Sequence, residues 1–370
     1  MRTLTLGRLS LASMLLLVSG GSLQAAERQT EWAKIVDAGK KEGKVVLATT
    51  SDPELRNKLL PAFERRFNIA VEYNGGRAPQ QAARIVQENR AGVRYFDVFV
   101  FGGCGGLGVL EEGALEPLRP FMVLPEVTDE KYWWGGAIWA DNVKTNRYLY
   151  SFTANGGVAN RWYNSTLLKA EEIRSYDDLL NPKLKGKIGI LDPRSPGAGQ
   201  GTWAFLWRVK GEGFLQKLVQ QDLFVTRNAR QLGDALSKEK IAICLGCSRH
   251  AVTPFIDAGL PIEPLPAASE GDEASSGYAL GVVKNPPHPN AAKVFVNWLL
   301  SKEGQELWSR SILNGTRRAD VDTRWLEKHD VSAAKDKMTV EQYHKFRNHL
   351  QDFCEKVREP ATALAEKLLK

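Results

Sequence analysis

Apolar positions recur with two different periods along the first hundred residues, and these periods predict helices and strands in turn. Residues 30–43 carry apolar side chains at helical spacing, with two lysines in the last turn before Gly43. A strand–helix–strand–helix–strand succession follows, at 44–50, 53–67, 69–74, 79–92 and 95–101. This order predicts a parallel sheet that is covered by helices on both faces.

The same alternation returns in the second half of the chain. The pattern predicts a strand and a loop at 186–194, followed by a helical stretch that is broken near Gly211. A helix at 229–240 and a strand at 241–245 come next. The segment 273–311 reads as a strand, a Pro-rich turn and a long helix, and 324–370 reads as charged and helical. A length of 370 residues also favours two domains, each with its own core.

The N-terminus has the layout of a secretory signal peptide. Arg2 and Arg8 precede an apolar run at 9–18, and small and polar residues lead to a cleavage point after Ala25 or Ala26. The apolar run is too short to span a bilayer, and no later run reaches 18 apolar residues. We therefore predict a signal peptide over 1–26 and a periplasmic mature protein.

Composition and charge narrow the function classes. The chain is 43% hydrophobic and 25% charged, which is ordinary for a globular protein. Its formal charge of +7 falls to +5 without the signal peptide, and basic and acidic residues are interspersed. Because no long basic block exists, we expect no nucleic-acid partner.

Four cysteines are candidates for chemistry in an oxidising compartment: Cys104, Cys244, Cys247 and Cys354. Cys244 and Cys247 form a CxxC at the end of an apolar run, whereas a redox pair of the thioredoxin type opens a helix. A zinc site would need a second such pair. The pattern leaves a structural disulfide or two unpaired thiols.

The sequence GGCGGLG contains the spacing of a dinucleotide fingerprint at Gly103, Gly105 and Gly108. Only residues 109–112 remain before Gly113, so any helix there is one or two turns long. A pyrophosphate site needs a sustained helix and a later acidic strand end, and neither follows. We therefore expect no nucleotide cofactor, and we expect these glycines to let a loop approach a ligand or another backbone.

Several stretches together resemble the solute-binding proteins of bacterial ABC importers, in particular the branch that contains ferric-ion-binding proteins. The most specific are 175–206 and 285–308, and shorter matches lie at 113–118 and 316–321. The resemblance implies an α/β type II periplasmic binding fold, with two lobes of mostly parallel sheet flanked by helices and joined by a hinge.

The resemblance also implies domain limits, partners and a site. The first lobe would comprise 27–149 and 275–318, and the second lobe 150–274 and 319–370. The ligand would lie in the cleft between the lobes. The protein would be a monomer, and it would bind its ligand without acting as an enzyme. Its partners would be an ABC permease and the permease's ATPase.

Loops that follow predicted strands supply the candidate ligand residues of the first half. Ser51 and Asp52 follow the first strand and either contact a ligand or only cap the next helix. Arg77 follows the second strand, where the alternative is a solvated surface arginine. Gly102 and Gly103 follow the third.

Two loops supply the candidates of the second half. Ser195, Gly197 and Gly199 would expose backbone N–H groups at a helix start, with Arg194 adjoining; a capping turn without a ligand is the alternative. Ser248 and Arg249 lie where the ferric-binding relatives carry an adjacent tyrosine pair. Losing both phenolates removes most of an iron site, so we expect an organic anion such as a phosphonate, sugar phosphate or carboxylate.

Three other interpretations stay open at this point. The first is ferric-iron transport. The second is an exported hydrolase, in which Ser195 and His250 would meet, although neither a GxSxG nor an HExxH motif occurs. The third concerns Trp133, Trp134 and Trp139, one of which would stack on a ligand unless all three pack beneath a lobe or the hinge.

Overall fold

The structure is a computed structural model that describes residues 28–102, 104–157, 160–275 and 277–369. The predicted signal peptide and Gly103 lie outside these residues, and the side chain of His250 is also not described. The helices are α1 (28–42), α2 (Leu60–Phe67), α3 (Ala78–Arg90), α4 (Leu107–Glu111), α5 (Pro125–Thr128), α6 (Ala198–Lys210), α7 (Glu212–Val219), α8 (Ala229–Ser237), α9 (Arg249–Asp257), α10 (Pro289–Leu300), α11 (Lys302–Ile312), α12 (Ala334–Lys337), α13 (Val340–Phe346), α14 (Gln351–Phe353) and α15 (Glu359–Leu368).

Short strands and single helical turns complete the elements. Two π-helical turns, Leu55–Leu59 and Cys354–Arg358, lead directly into α2 and α15. The strands are β1 (Lys44–Thr49), β2 (Ala70–Gly75), β3 (Val98–Gly102), β4 (Leu115–Glu116), β5 (Tyr150–Ser151), β6 (Asn155–Gly156), β7 (Arg161–Asn164), β8 (Ile188–Leu191), β9 (Phe224–Thr226), β10 (Ile243–Leu245), β11 (Ile262–Pro264), β12 (Ala274–Ser275) and β13 (Tyr278–Val283).

The first lobe is built on the sheet β2-β1-β3-β13-β4, with β5 also paired to β13. β1 runs parallel to β2 and to β3, which confirms the predicted βαβαβ unit. β13 is antiparallel to β3, with Tyr278 opposite Gly102. A strand from far along the chain therefore closes this sheet, and one face packs against α10, whose residues from Ala291 to Leu300 are mostly buried.

The second lobe is built on the sheet β11-β7-β10-β8-β9. β8 runs parallel to β10 and to β9, whereas β7 is antiparallel to both of its neighbours. Helix α6 covers this sheet, and the chain breaks at Gly211 before α7, as the sequence predicts. Each lobe is thus a mixed α/β layer with its own apolar core.

Three chain crossings connect the two lobes. β6 and β12 pair as a two-stranded antiparallel ribbon between the sheets. The third crossing lies near the C-terminus, where Leu350 belongs to the apolar core of the first lobe and Phe353 to that of the second. Tyr343 also packs in the first lobe, within the part that the sequence assigned to the second; the predicted lobe boundaries stay predictions.

The tryptophans near residue 135 pack inside the first lobe. Trp133 and Trp139 are both edge-on to Tyr150, with ring centroids 5.1 and 5.3 Å away, and Trp134 contacts Tyr343 at 5.4 Å. Arg317 donates to the backbone oxygen of Trp134 and fixes this loop. The packing alternative therefore accounts for these three side chains.

No helix among the described residues is long and apolar enough to cross a membrane.

Candidate ligand-binding cleft

The predicted ligand residues that the structure describes lie at or just after the carboxyl ends of parallel strands. Those of the first lobe follow β1, β2 and β3, and those of the second lobe follow β8 and β10. In open α/β sheets, ligands bind outside these strand ends. Some polar groups at these ends are already engaged within the protein.

The loop after β1 is held by contacts within the first lobe. Asp52 Oδ1 accepts the N–H groups of Glu54 (2.8 Å) and Leu55 (3.1 Å), so this carboxylate caps the following turn. The backbone N–H of Asp52 donates to Tyr73 Oη (2.8 Å), whose own O–H donates to Thr50 O (2.6 Å). The capping alternative thus accounts for Asp52, and Ser51 is exposed beside it.

Arg77 has a different status at the end of β2. Its side chain is exposed, and among the described residues its guanidinium has neither a hydrogen bond nor an ion pair. The loop after β3 lies against this point, because a Cβ on Gly105 would come within 2.6 Å of Ala78 Cβ. Arg77 and the loop that follows Gly102 are therefore neighbours, with Arg77 offering an unpaired positive charge.

The loop after β8 leads into α6 through Gly197, whose φ of 153° favours glycine. No side chain caps the start of α6, and Ser195 lies in the turn just before it. The N–H groups of the first turn, 198–200, therefore point out of the helix without a side-chain acceptor. Such a helix start attracts anions through its amides and its dipole.

Gly199 has a packing role that the sequence did not reveal. A Cβ on Gly199 would lie 2.0 Å from Leu191 O, and a Cβ on Gly246 would lie 2.4 Å from Gly199 Cα. The loops after β8 and β10 are thus in backbone contact. This contact brings the start of α6 next to the loop that carries Ser248 and Arg249.

Arg194 adjoins the start of α6 but is engaged within the second lobe. Its Nε and Nη2 donate to Asp192 at 2.8 and 2.9 Å, and its Nη1 donates to Leu369 O. Asp192 also accepts from Arg227 Nε (2.9 Å). The hydrogen bonds from Arg194, followed by those from Arg227, outweigh burial and lower the pKa of Asp192 to about 2. Arg194 therefore neutralises a buried carboxylate.

Arg249 begins α9 and contacts a segment far along the chain. Its Nη1 donates to Asp330 in the segment after α11, and both side chains are partly exposed. Ser248 is the N-cap residue of α9 and makes no side-chain capping bond to it. α6 and α9 thus both begin without a side-chain cap, whereas Asn228 caps α8 on the same sheet.

A buried polar cluster at the crossings was not predicted from the sequence. Glu273 precedes β12 and is 3% exposed, and its carboxylate accepts from Asn160 Nδ2 (3.0 Å) and Asn348 Nδ2 (3.2 Å). Burial raises the pKa of Glu273 to about 7, against the opposing effect of these amides and of Arg161. The partners lie 113 and 75 residues away, so no local pattern could have joined them.

Both cysteine pairs are disulfides. Cys244 and Cys247 are bridged, which settles the open alternative for the CxxC in favour of a disulfide. Cys104 is bridged to Cys354, 250 residues away, with a Cα–Cα distance of 5.9 Å. The second pairing joins the loop after β3 to the C-terminal crossing, and no sequence pattern predicted it.

The described residues contain no group of three or more His, Cys, Asp or Glu side chains placed to hold a metal ion. Tyr278, at the start of β13, has its pKa raised to about 12 by burial. Tyr73, the other phenol nearby, is engaged by Thr50 and Asp52.

Comparison with known proteins identifies the class. A two-lobed α/β fold with unengaged polar groups at facing strand ends is that of a solute-binding protein. Residues 45–311 match the family model of the bacterial extracellular solute-binding proteins, and the chain belongs to this family. The family consists of transport proteins that bind solutes, so this chain is a solute-binding protein and not an enzyme.

Solved structures share the fold at low sequence identity. An iron- and citrate-bound IdiA (FutA) from Trichodesmium has a TM-score of 0.64 and 21% identity, with 88% of this chain and 99% of that chain covered. AfuA from Actinobacillus pleuropneumoniae with fructose-6-phosphate gives 0.60 and 19%, over 88% and 99%. An ABC transporter protein from Clostridium perfringens gives 0.65 and 17%, over 88% and 100%.

A curated relative covers only part of the chain. An uncharacterized protein from Haemophilus influenzae is 33% identical over 141 residues, which is 36% of this chain and 39% of that protein.

Proposed function

We propose that this protein captures a small organic anion, such as a phosphonate, sugar phosphate or carboxylate, in the cleft between its lobes and delivers it to an ABC permease. One observation carries the proposal: the start of α6, with no side-chain cap, lies in backbone contact with the loop that opens α9, which also begins without one. Two adjacent helix starts of this kind provide N–H donors for an anion.

The first lobe supplies the complementary charge. Arg77 is exposed at the end of β2 and has no partner among the described residues, so its guanidinium is available to an anion. An arginine fork matches the geometry of a carboxylate or a phosphate. Ligand contacts from both lobes exist only when the cleft is shut, and this difference lets the anion favour a closed form about the crossings at β6 and β12.

Binding strength in the micromolar range is consistent with such a site. A micromolar dissociation constant corresponds to about 8 kcal/mol, which several amide bonds and one arginine contact can supply. We propose that the closed, loaded form docks on the permease as a monomer.

Ferric iron is the second candidate, because iron-bound proteins are among the structural neighbours. Against it stand Ser248 and Arg249 at the position of the relatives' tyrosine pair. Ferric iron, supplied as ferric citrate, therefore belongs in the test as the competing ligand.

A thermal-melting panel tests the proposal. The mature protein is unfolded to remove bound solute, refolded, and melted with phosphonates, sugar phosphates, dicarboxylates and ferric citrate. A ligand at 100 times its dissociation constant adds about 2.7 kcal/mol of stability. We expect a shift with phosphorylated or carboxylated solutes, and a shift with ferric citrate alone would contradict the proposal.

A further inference from the structure

The Cys104–Cys354 disulfide joins two parts of the protein that belong to different lobes. Cys104 lies in the turn between β3 and α4, at the strand ends of the first lobe. Cys354 follows α14 and opens the turn that leads into α15. The bond therefore connects a cleft loop of the first lobe to the start of the C-terminal helical segment.

The chain just before Cys354 is the third crossing, and hydrogen bonds tie it to β12 and to the first lobe. The N–H of Asn348 donates to Ala274 O in β12 (3.1 Å), and that of Gln351 donates to Ala140 O in the first lobe (2.8 Å). The N–H of Asp352 donates to Asn142 Oδ1 (3.1 Å). Separation of the lobes at this crossing must break these bonds and expose the buried Leu350 and Gln351.

The chain from Phe353 onward packs on the second lobe. Arg208 on α6 lies over the ring of Phe353 at 5.6 Å, Trp203 Nε1 donates to Ala361 O (2.8 Å), and Gln200 Nε2 donates to Thr362 Oγ1 (3.0 Å). The C-terminal segment thus lies along α6, the helix whose start is the proposed anion site. It should move with the second lobe.

We propose that the Cys104–Cys354 disulfide is a covalent restraint on the hinge, which limits how far the second lobe can rotate away from the first. Cys354 begins the part that travels with α6, whereas Cys104 is fixed to the end of β3. The bond lets the lobes rotate about the crossing but prevents the two lobes from moving apart at this point. This inference rests on the hinge motion of the proposed function.

The second disulfide provides a matched control. Cys244 and Cys247 are three residues apart, follow β10, and lie wholly within the second lobe. Removing this bond changes the number of disulfides by the same amount and leaves the crossing untouched.

Hydrogen exchange of the ligand-free mature protein tests the restraint. The Cys104→Ser/Cys354→Ser and Cys244→Ser/Cys247→Ser variants are compared with the oxidised wild type at the amides of Asn348, Gln351 and Asp352. The amides of Asp97 and Ile243 serve as references for global opening, because each donates a hydrogen bond within its own lobe. Loss of unfolding free energy also accelerates the reference amides, so the crossing is judged by its own rate. We expect about tenfold faster exchange there in the first variant, still faster than at the references, and an unchanged rate at the crossing in the second variant.

Two results would overturn the restraint. One is unchanged exchange at the crossing in the first variant, and the other is exchange at the crossing no faster than at the references, which would make global unfolding the only cause. Should the first variant fail to fold, the folded wild type reduced with a phosphine gives the same comparison. No ligand is added, so a failure of the anion proposal would leave this result standing.

Discussion

The two lobes prepare their strand ends for a ligand in opposite ways. In the second lobe, the charges are neutralised internally, because Arg194 and Arg227 share Asp192, and backbone amides at the start of α6 are left over. In the first lobe, Asp52 caps the local backbone and Arg77 keeps an unpaired charge. The comparison indicates that the second lobe supplies directional N–H donors and the first lobe supplies the cation.

The largest expected effect distinguishes a bond between the lobes from one within a lobe. The loop that Cys104–Cys354 closes spans 250 residues, whereas Cys244–Cys247 closes one of three. In the chain-entropy account, loss of the first bond costs about 5 kcal/mol of unfolding free energy and loss of the second about 2 kcal/mol. Urea unfolding of the two double-serine variants measures both, and equal losses would contradict this expectation.

A glycine substitution breaks the amide site of the second lobe. Gly199→Ala places a Cβ 2.0 Å from Leu191 O, so the backbone must move, at a cost of about 3 kcal/mol. Gly213→Ala is the matched control, since it lies in α7 with nothing within 4 Å of the added Cβ. Replacing a helical glycine there should add about 0.5–1 kcal/mol. Urea unfolding measures both, and similar values for the two variants would refute the close contact between Gly199 and Leu191.

The pH dependence of stability tests the cluster that joins the lobes. The pKa of Glu273 is about 7 in the folded protein, above its ordinary value of 4.5, so the folded state holds a proton that the unfolded state has lost. Stability from Glu273 should therefore be complete below pH 4.5 and should fall as pH rises to about 7, by a few kcal/mol.

Glu273→Gln keeps the shape and removes the titration. Its unfolding free energy, relative to wild type, should rise between pH 5 and pH 8, and taking the difference cancels the other titrating groups. A constant difference across this range, measured by urea unfolding, would show that Glu273 is ionised in the folded protein or not buried.

The smallest expected effect concerns the first lobe's cation. Arg77→Ala should weaken binding of the panel's best anion about tenfold, through loss of one charge-assisted contact at an exposed site. Arg65→Ala is the control, because Arg65 is an exposed arginine in the last turn of α2. Calorimetric titration of both variants compares them, and equal affinities would remove Arg77 from the site.

Much of the fold was predictable because it depends on local patterns. The βαβαβ unit at 44–101 and the break at Gly211 follow from apolar spacing and glycine, and the structure contains both. The sequence did not reveal that β13 inserts antiparallel beside β3, nor did it reveal β7, whose four residues RWYN are all buried in spite of their polarity. Such placements depend on partners far along the chain.

The site was predictable in its loops but not in its atoms. Sequence placed Arg194 and Arg249 at strand ends, but only the structure pairs them with Asp192 and Asp330. Gly199 was assigned to ligand contact, and its tight packing appears only once Leu191 is opposite it. Which polar groups remain unengaged is a property of the packed molecule, because each hydrogen bond uses a donor that a ligand would otherwise reach.

A crystal structure of the mature protein with the anion that gives the largest thermal shift tests the central claim most directly. The account predicts anion oxygens 2.7–3.2 Å from the backbone nitrogens of 198–200, as in ordinary N–H···O bonds, with the guanidinium of Arg77 closing over them from the other lobe. An anion bound elsewhere, or a metal ion coordinated in the cleft without these amides, would contradict it.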